Sequence, residues 1–206
     1  ADIWPYFWHL KGAKDGYAHA QFILGSLYLS GDGIPQNFAE ALKWLEKAAG
    51  QGHKTAQHEI AKIYIYGRHQ AKNVTAGLNW ITKAAEQGRV AAQYELAMMH
   101  LKDQVPQDFN EMFKWFYRAA EQGHAQAQYE LAFCYWNGLG VRENRAEAFK
   151  WYLTNADQGS DRSWVQLAYA YSNGQGVAQD KVKANFWWSM VRIGRNKKQL
   201  QQAAKQ

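Results

Sequence analysis

Small and apolar residues recur at intervals of four within short segments of this chain. Ala20, Leu24 and Tyr28 form one set, and Ala56, Ile60 and Tyr64, then Ala127, Leu131 and Tyr135, then Ser163, Leu167 and Tyr171 form others. An i, i+4, i+8 spacing is one stripe of an α-helix. The residue after each middle member, Gly25, Ala61, Ala132 or Ala168, with Ala97 at the same register, is small too, so these helices are expected to approach others closely. A second helical pattern runs between the segments: Ala41, Trp44 and Ala48 share a face, and Ala148, Trp151 and Asn155 repeat it. Asn37, Asn73, Asp108, Asn144 and Asp180 stand at its start, and Asn and Asp are among the best helix N-caps. The first helix of a pair is expected to end at Gly31, Gly138 or Gly174, each followed by a second glycine at Gly33, Gly140 or Gly176. With no strand before them and no longer glycine pattern, these are turn glycines and not a phosphate loop.

The helix pairs repeat. Gly16, Gly52, Gly88, Gly123 and Gly159 are separated by 36, 36, 35 and 36 residues, and Trp8, Trp44, Trp80, Trp115, Trp151 and Trp187 by 36, 36, 35, 36 and 36. Such a period predicts an all-α solenoid of antiparallel helix pairs, in which a repeat buries its apolar face only against its neighbours. One repeat domain over 1–206 is expected: a half-repeat cap helix at 1–15, repeats at 16–51, 52–87, 88–122, 123–158 and 159–194, and a basic tail at 195–206. Pro5 is tolerable in the first turn of the cap helix. An array of this kind makes a long surface and no natural catalytic pocket, which points to binding.

The combined pattern, A-x3-L-G/A-x2-Y-x2-G-x-G-V followed by D/N-x3-A-x2-W-x3-A-A-x-x-G, resembles the Sel-one-like repeat (SLR) family, a relative of the tetratricopeptide repeat, up to about residue 194. The departures are GRHQAKN at 67–73, KDQVPQD at 102–108, and Trp164 where other repeats carry Gln. The resemblance implies a right-handed superhelix whose first helices line a concave face, acting as an adaptor or scaffold for other proteins. Many bacterial members work in the envelope or are secreted, and some pair with secreted toxins. A periplasmic or secreted location and, as an alternative function, an immunity or inhibitor protein against a toxic envelope enzyme are therefore also implied.

Composition changes this picture little. Ten Trp and twelve Tyr are many, but most Trp lie on the register and are expected in the inter-repeat core. The net charge of +6 is a C-terminal feature: residues 181–206 hold seven basic and no acidic side chains, and the 180 before them hold 17 basic against 18 acidic. A solvated last helix and tail explains that better than a nucleic-acid groove, and no nucleic acid is expected. No run of 18 apolar residues is present, so no membrane span is expected. No charged-then-apolar leader opens the chain, and Ala1 in place of Met fits a processed exported protein or a boundary inside a longer one.

Cys134, the single cysteine, occupies the position of Leu27, Ile63, Met99 and Ala170, an apolar slot unsuited to a nucleophile. The histidines show no recognised ligand spacing, and His53 and His124 share one helix-start position. Glu59, Glu95 and Glu130 form a row on successive repeats and not a facing acid–base pair. No enzyme activity, cofactor or metal is expected.

The face opposite the buried stripe of the first helices is where a partner is expected. It carries Glu59 and Tyr66, Glu95 and Met98, Glu130 and Phe133, and Tyr169, with Tyr94, Tyr129 and Trp136 at its edge. Apolar and aromatic side chains there stand where a surface helix is normally polar. Tyr94 and Tyr129 fit packing between repeats equally well. Glu95 and Glu130 have no counter-charge on their own helices, which suggests a protein or peptide partner with a Lys or Arg beside an apolar anchor, bound by a monomer.

Overall fold

The computed structural model describes residues 4–67, 71–102 and 104–203, and the side chains between 6 and 194 within those limits. Among the described residues there are eleven α-helices and no strand: α1 (Trp4–Lys14), α2 (Ala18–Ser30), α3 (Phe38–Gly50), α4 (Lys54–Tyr66), α5 (Val74–Glu86), α6 (Val90–Leu101), α7 (Phe109–Glu121), α8 (Ala125–Asn137), α9 (Arg145–Asp157), α10 (Asp161–Asn173) and α11 (Lys181–Ala203). They fall into two compact units, Ala1–Met99 and His100–Gln206. Within the first, each helix from α1 to α4 packs on the next, and within the second each helix from α7 to α10 does the same. Short connections make such neighbours antiparallel.

Local chemistry sets the helix ends. Asn37, Asn73 and Asn144 accept from the backbone N–H three residues on, and Asp108 and Asp180 each accept from two N–H groups of the first turn. Gly31, Gly67, Gly138 and Gly174 close the first helices in the left-handed conformation, with φ of 73°, 65°, 69° and 67°. The second glycine of the turn has a further reason at Gly140 and Gly176. A Cβ there would run into the carbonyl of Phe109 or of Arg145, at the start of the second helix of the preceding repeat.

Burial follows the stripe more closely than it follows the tryptophans. Leu24, Ile60, Leu131 and Leu167 are fully buried, as are the small Gly25, Ala61, Ala97, Ala132 and Ala168 beside them. Trp44 and Trp115 are 7% and 3% exposed, but Trp80, Trp151 and Trp187 are half-buried and Trp8 is 69% exposed. Trp44 is covered because Ala13 and Leu24, on α1 and α2, share its cluster. Among the described residues nothing stands in the corresponding place for Trp8.

One polar device recurs through this core. The buried Gln21, Gln57, Gln93 and Gln128 donate from Nε2 to the carbonyls of Ala13, Ala49, Ala85 and Ala120, eight residues earlier, at 3.0–3.3 Å. Three of them also accept from a glutamine 30 residues on: Gln21 from Gln51, Gln57 from Gln87 and Gln128 from Gln158, at 2.7, 2.7 and 2.9 Å. Each of these helix-end carbonyls also accepts from the N–H of the turn glycine that follows it, so the glutamine supplies its second donor. Trp164 departs from this series in sequence but not in chemistry, since its indole Nε1 donates to the carbonyl of Ala156, also eight residues earlier, at 3.2 Å.

At the C-terminus, α11 continues to Ala203, through residues set apart from 195 as a tail. The side chains of Arg195, Lys197, Lys198 and Lys205 lie outside the described residues, as do residues 68–70 and 103 in the two divergent loops.

Candidate functional site

In the first unit the expected partner-binding residues are held largely by the chain itself. Glu59 on α4 pairs with Lys62 at 2.8 Å. Glu95 on α6 lies 2.9 Å from Nε2 of His58 on α4, a side chain only 3% exposed, whose Nδ1 accepts from Nε of Arg89 at 3.0 Å. Because Nδ1 is an acceptor in this arrangement, Nε2 carries the proton and donates to the carboxylate. Glu95 is therefore compensated, from the preceding repeat and not from its own helix. Tyr66 is 53% exposed, while Tyr94 and Met98 are half-buried.

The second unit holds the other five. Phe133 on α8 and Tyr169 on α10 occupy equivalent positions of consecutive repeats and are 40% and 50% exposed. Tyr169 meets Trp188 of α11 edge-on, with ring centroids 5.1 Å apart, which orders it without covering it. Glu130 lies 3.8 Å from Arg162 on α10. Its counter-charge thus comes from the neighbouring repeat, as does the hydrogen bond that Glu95 accepts. Burial raises its pKa, with Arg162 and Lys102 acting the other way. For Glu130 the Lys or Arg expected of a partner has its counterpart inside the protein, in Arg162, while Glu95 is met by a hydrogen-bond donor of the chain itself. Trp136 packs against the buried Tyr152 at 6.3 Å, with the Arg145 guanidinium 5.3 Å from its ring.

Tyr129 belongs to a different feature. Its ring lies 5.5 Å from that of Tyr152 and 4.1 Å from the Arg162 guanidinium, and it forms one wall of an open cavity of about 250 Å³. The other walls are Ala125 and Gln126 at the start of α8, Asn155, Gln158 and Gly159 at the end of α9, and Ser160 and Arg162 at the start of α10. Asn155 is tied to both neighbouring helices, donating to the carbonyl of Ala125 at 2.7 Å and accepting from the hydroxyl of the buried Ser163 at 2.7 Å. No carboxylate lines the cavity.

Two of these features carried a sequence signal that the register alone did not resolve. Asn155 and Ser163 are a matched pair of polar residues where earlier repeats place Ala48 and Ala84, and Ala20 and Ala56. Ser160 takes the place of His53, Arg89 and His124.

The alternative chemistries find little geometry. Cys134 is buried, and desolvation with Glu130 nearby pushes its thiol up to about 12. His53 and His124 each turn Nδ1 to the backbone N–H three residues on, at 3.2 Å, so they are helix caps, and burial lowers the pKa of both. Among the described residues no group of three or more His, Cys, Asp or Glu is placed to hold a metal, and no helix is long and apolar enough to cross a membrane.

A model of the Sel1 repeat matches residues 18–53, 54–88, 90–124, 125–160 and 165–190. Among solved structures, the chain is similar to a protective antigen of uropathogenic Escherichia coli that displays an SLR fold, with 32% identity, a TM-score of 0.83, and coverage of 90% of this chain and 40% of that one. It thus spans well under half the length of that protein. A Sel1 repeat protein from Oxalobacter formigenes is 28% identical, with a TM-score of 0.74, over 87% of this chain and 72% of that one. An immunity protein from Pseudomonas aeruginosa, 24% identical with a TM-score of 0.50 over 90% and 70% of the two chains, shares the fold alone. No curated protein matches the chain significantly.

Proposed function

The chain belongs to the Sel1 repeat family, and from that premise we propose that it is a non-enzymatic scaffold that holds a segment of another protein against the outward face of its first helices. The observation that supports this reading is the exposure of Phe133 and Tyr169, two aromatic rings at one register position of consecutive repeats. Large apolar side chains on adjoining helices, rimmed by polar ones, mark interaction sites more often than chance. The anchor supplied by the partner is apolar.

The test needs the partner, obtained by co-purification with the tagged chain from its source cell, and then the kinetics of the purified pair. Phe133→Ala with Tyr169→Ala should speed dissociation and weaken binding by at least roughly tenfold, or ~1.4 kcal/mol. Binding that survives this double substitution unchanged places the partner on another surface. If the partner is an enzyme that the chain silences, the scaffold is an inhibitor, the second reading that the resemblance implied. Saturable turnover by the chain itself would overturn both.

A further inference from the structure

The repeats allow the cavity beside Tyr129 to be compared with its own counterparts. At the junction of the 16–51 and 52–87 repeats, the corresponding space is entered by His53, whose imidazole stacks on Phe22 at 4.7 Å and comes within 3.4 Å of His19. At the next junction it is entered by Arg89, whose guanidinium donates to His58 at 3.0 Å and to Thr55 at 3.3 Å. Phe22, His58 and Tyr129 are equivalent residues, and so are His19, Thr55 and Gln126. At the junction of 123–158 with 159–194 the entering residue is Ser160, too short to reach either wall, and the space stays open.

The open space has a one-sided chemistry. Arg162 brings a guanidinium whose ion pair with Glu130 is 3.8 Å long, beyond hydrogen-bond reach, so that pair leaves its N–H donors unused. Gln126 adds an amide, Tyr129 a phenol, and Ser160 a hydroxyl that makes no bond to its own helix. None of Glu130, Asp157 and Asp161, the acidic residues adjacent in sequence to lining ones, lines the wall.

We propose that this cavity is a carboxylate-binding socket, in which Arg162 pairs with a carboxylate of the bound protein and Gln126, Tyr129 and Ser160 donate to the lone pairs that Arg162 leaves free. A planar guanidinium fork matches a carboxylate, and a socket already open needs no rearrangement to receive one. The carboxylate can belong to an Asp or Glu side chain or to a chain terminus. The proposal relies on the scaffold reading only for which molecule carries that group.

The socket is therefore tested without any partner, by titrating the isotope-labelled full chain and following the NMR signals of Gln126, Ser160 and Arg162. N-acetylglutamate α-amide presents a side-chain carboxylate alone, N-acetylglycine a terminal one alone, and N-acetylglutamine amide is the neutral isostere. At least one carboxylate probe should give saturable shifts at millimolar concentration, with the glutamine probe at least roughly tenfold weaker. Which of the two saturates at lower concentration identifies the source. Arg162→Gln should abolish the shifts. Ser160→His, which restores the residue type found at His53 and His124, should block the socket and also abolish them while leaving the rest of the spectrum in place. Equal response to the neutral probe, response that persists in Ser160→His, or no saturation with either carboxylate each overturn the socket. None of these bears on whether Phe133 and Tyr169 anchor a partner, so the two readings fail separately.

Discussion

His58 and Glu95 lie on successive repeats, 37 positions apart, yet their side chains meet at 2.9 Å and bridge those repeats through a histidine with almost no access to water. A buried polar group that loses its partner keeps its desolvation penalty, and hydrogen bonds to charged groups contribute about 1.5–3 kcal/mol. Glu95→Ala should therefore lower unfolding stability by that amount in denaturant titration, and Glu95→Gln, which still accepts from Nε2, by clearly less. Equal loss in the two variants would show that the contact is incidental. Glu95 supports the fold, so its charge reversal is a poor probe of binding.

Trp115 and Trp8 share a register position and should differ sharply in worth. Trp115 is 3% exposed, and truncating a buried Trp costs roughly 3–5 kcal/mol. Trp8 is 69% exposed, and surface truncations usually stay within about 0.5 kcal/mol. Thermal or denaturant unfolding of Trp115→Ala and Trp8→Ala compares them directly. Similar losses would mean that Trp8 is covered in solution.

Glu130 makes the stability depend on pH in a defined direction. Burial raises its pKa in the folded protein, so between the ordinary glutamate value, about 4.3, and that raised value the folded state binds more protons than the unfolded one. Its contribution to stability is thus most favourable below that window and is lost as pH rises through it. Glu130→Gln should gain stability over the parent at pH 7 and lose that advantage at about pH 3, below both values. A gain that persists unchanged in acid would point to another cause.

Cys134 should report unfolding of its region. With its thiol pushed up to about 12 and its side chain buried, hardly any thiolate is available at neutral pH. Labelling by a thiol reagent should be very slow in the folded chain and complete in denaturant. Rapid labelling of the folded protein would contradict the burial.

What was legible in the sequence was local. The caps at Asn37, Asn73, Asp108, Asn144 and Asp180 and the turn glycines need only neighbouring residues to be read, and they stand where the spacing put them. The burial of Trp8 and Trp80 was not legible, because burial depends on which helix lies alongside and periodicity assigns every register position the same surroundings. Glu95 and Glu130 looked uncompensated for a related reason. Helical spacing reveals partners three or four residues away, whereas His58 and Arg162 come from adjacent repeats 37 and 32 positions distant. The cavity was visible only as an absence, a Ser at the position where the three preceding repeats place His or Arg, and a small residue alone does not say whether its neighbours close the gap.

The glutamines that donate to these helix-end carbonyls also bear on how such a chain can change in length. Each junction of this type presents the same carbonyl and amide contacts, set by spacings of eight and 30 residues. Copying or removing a whole repeat would recreate those spacings at the new seam. Adding or dropping a residue within a helix between Gln57 and Gln87 would rotate one amide away from the other by about 100°, while the same change in the surface connection between the two helices of a repeat can be absorbed there. The repeat is in this sense the smallest heritable increment of the molecule, and the shorter loop at 102–108 is where a single residue could vanish at little cost.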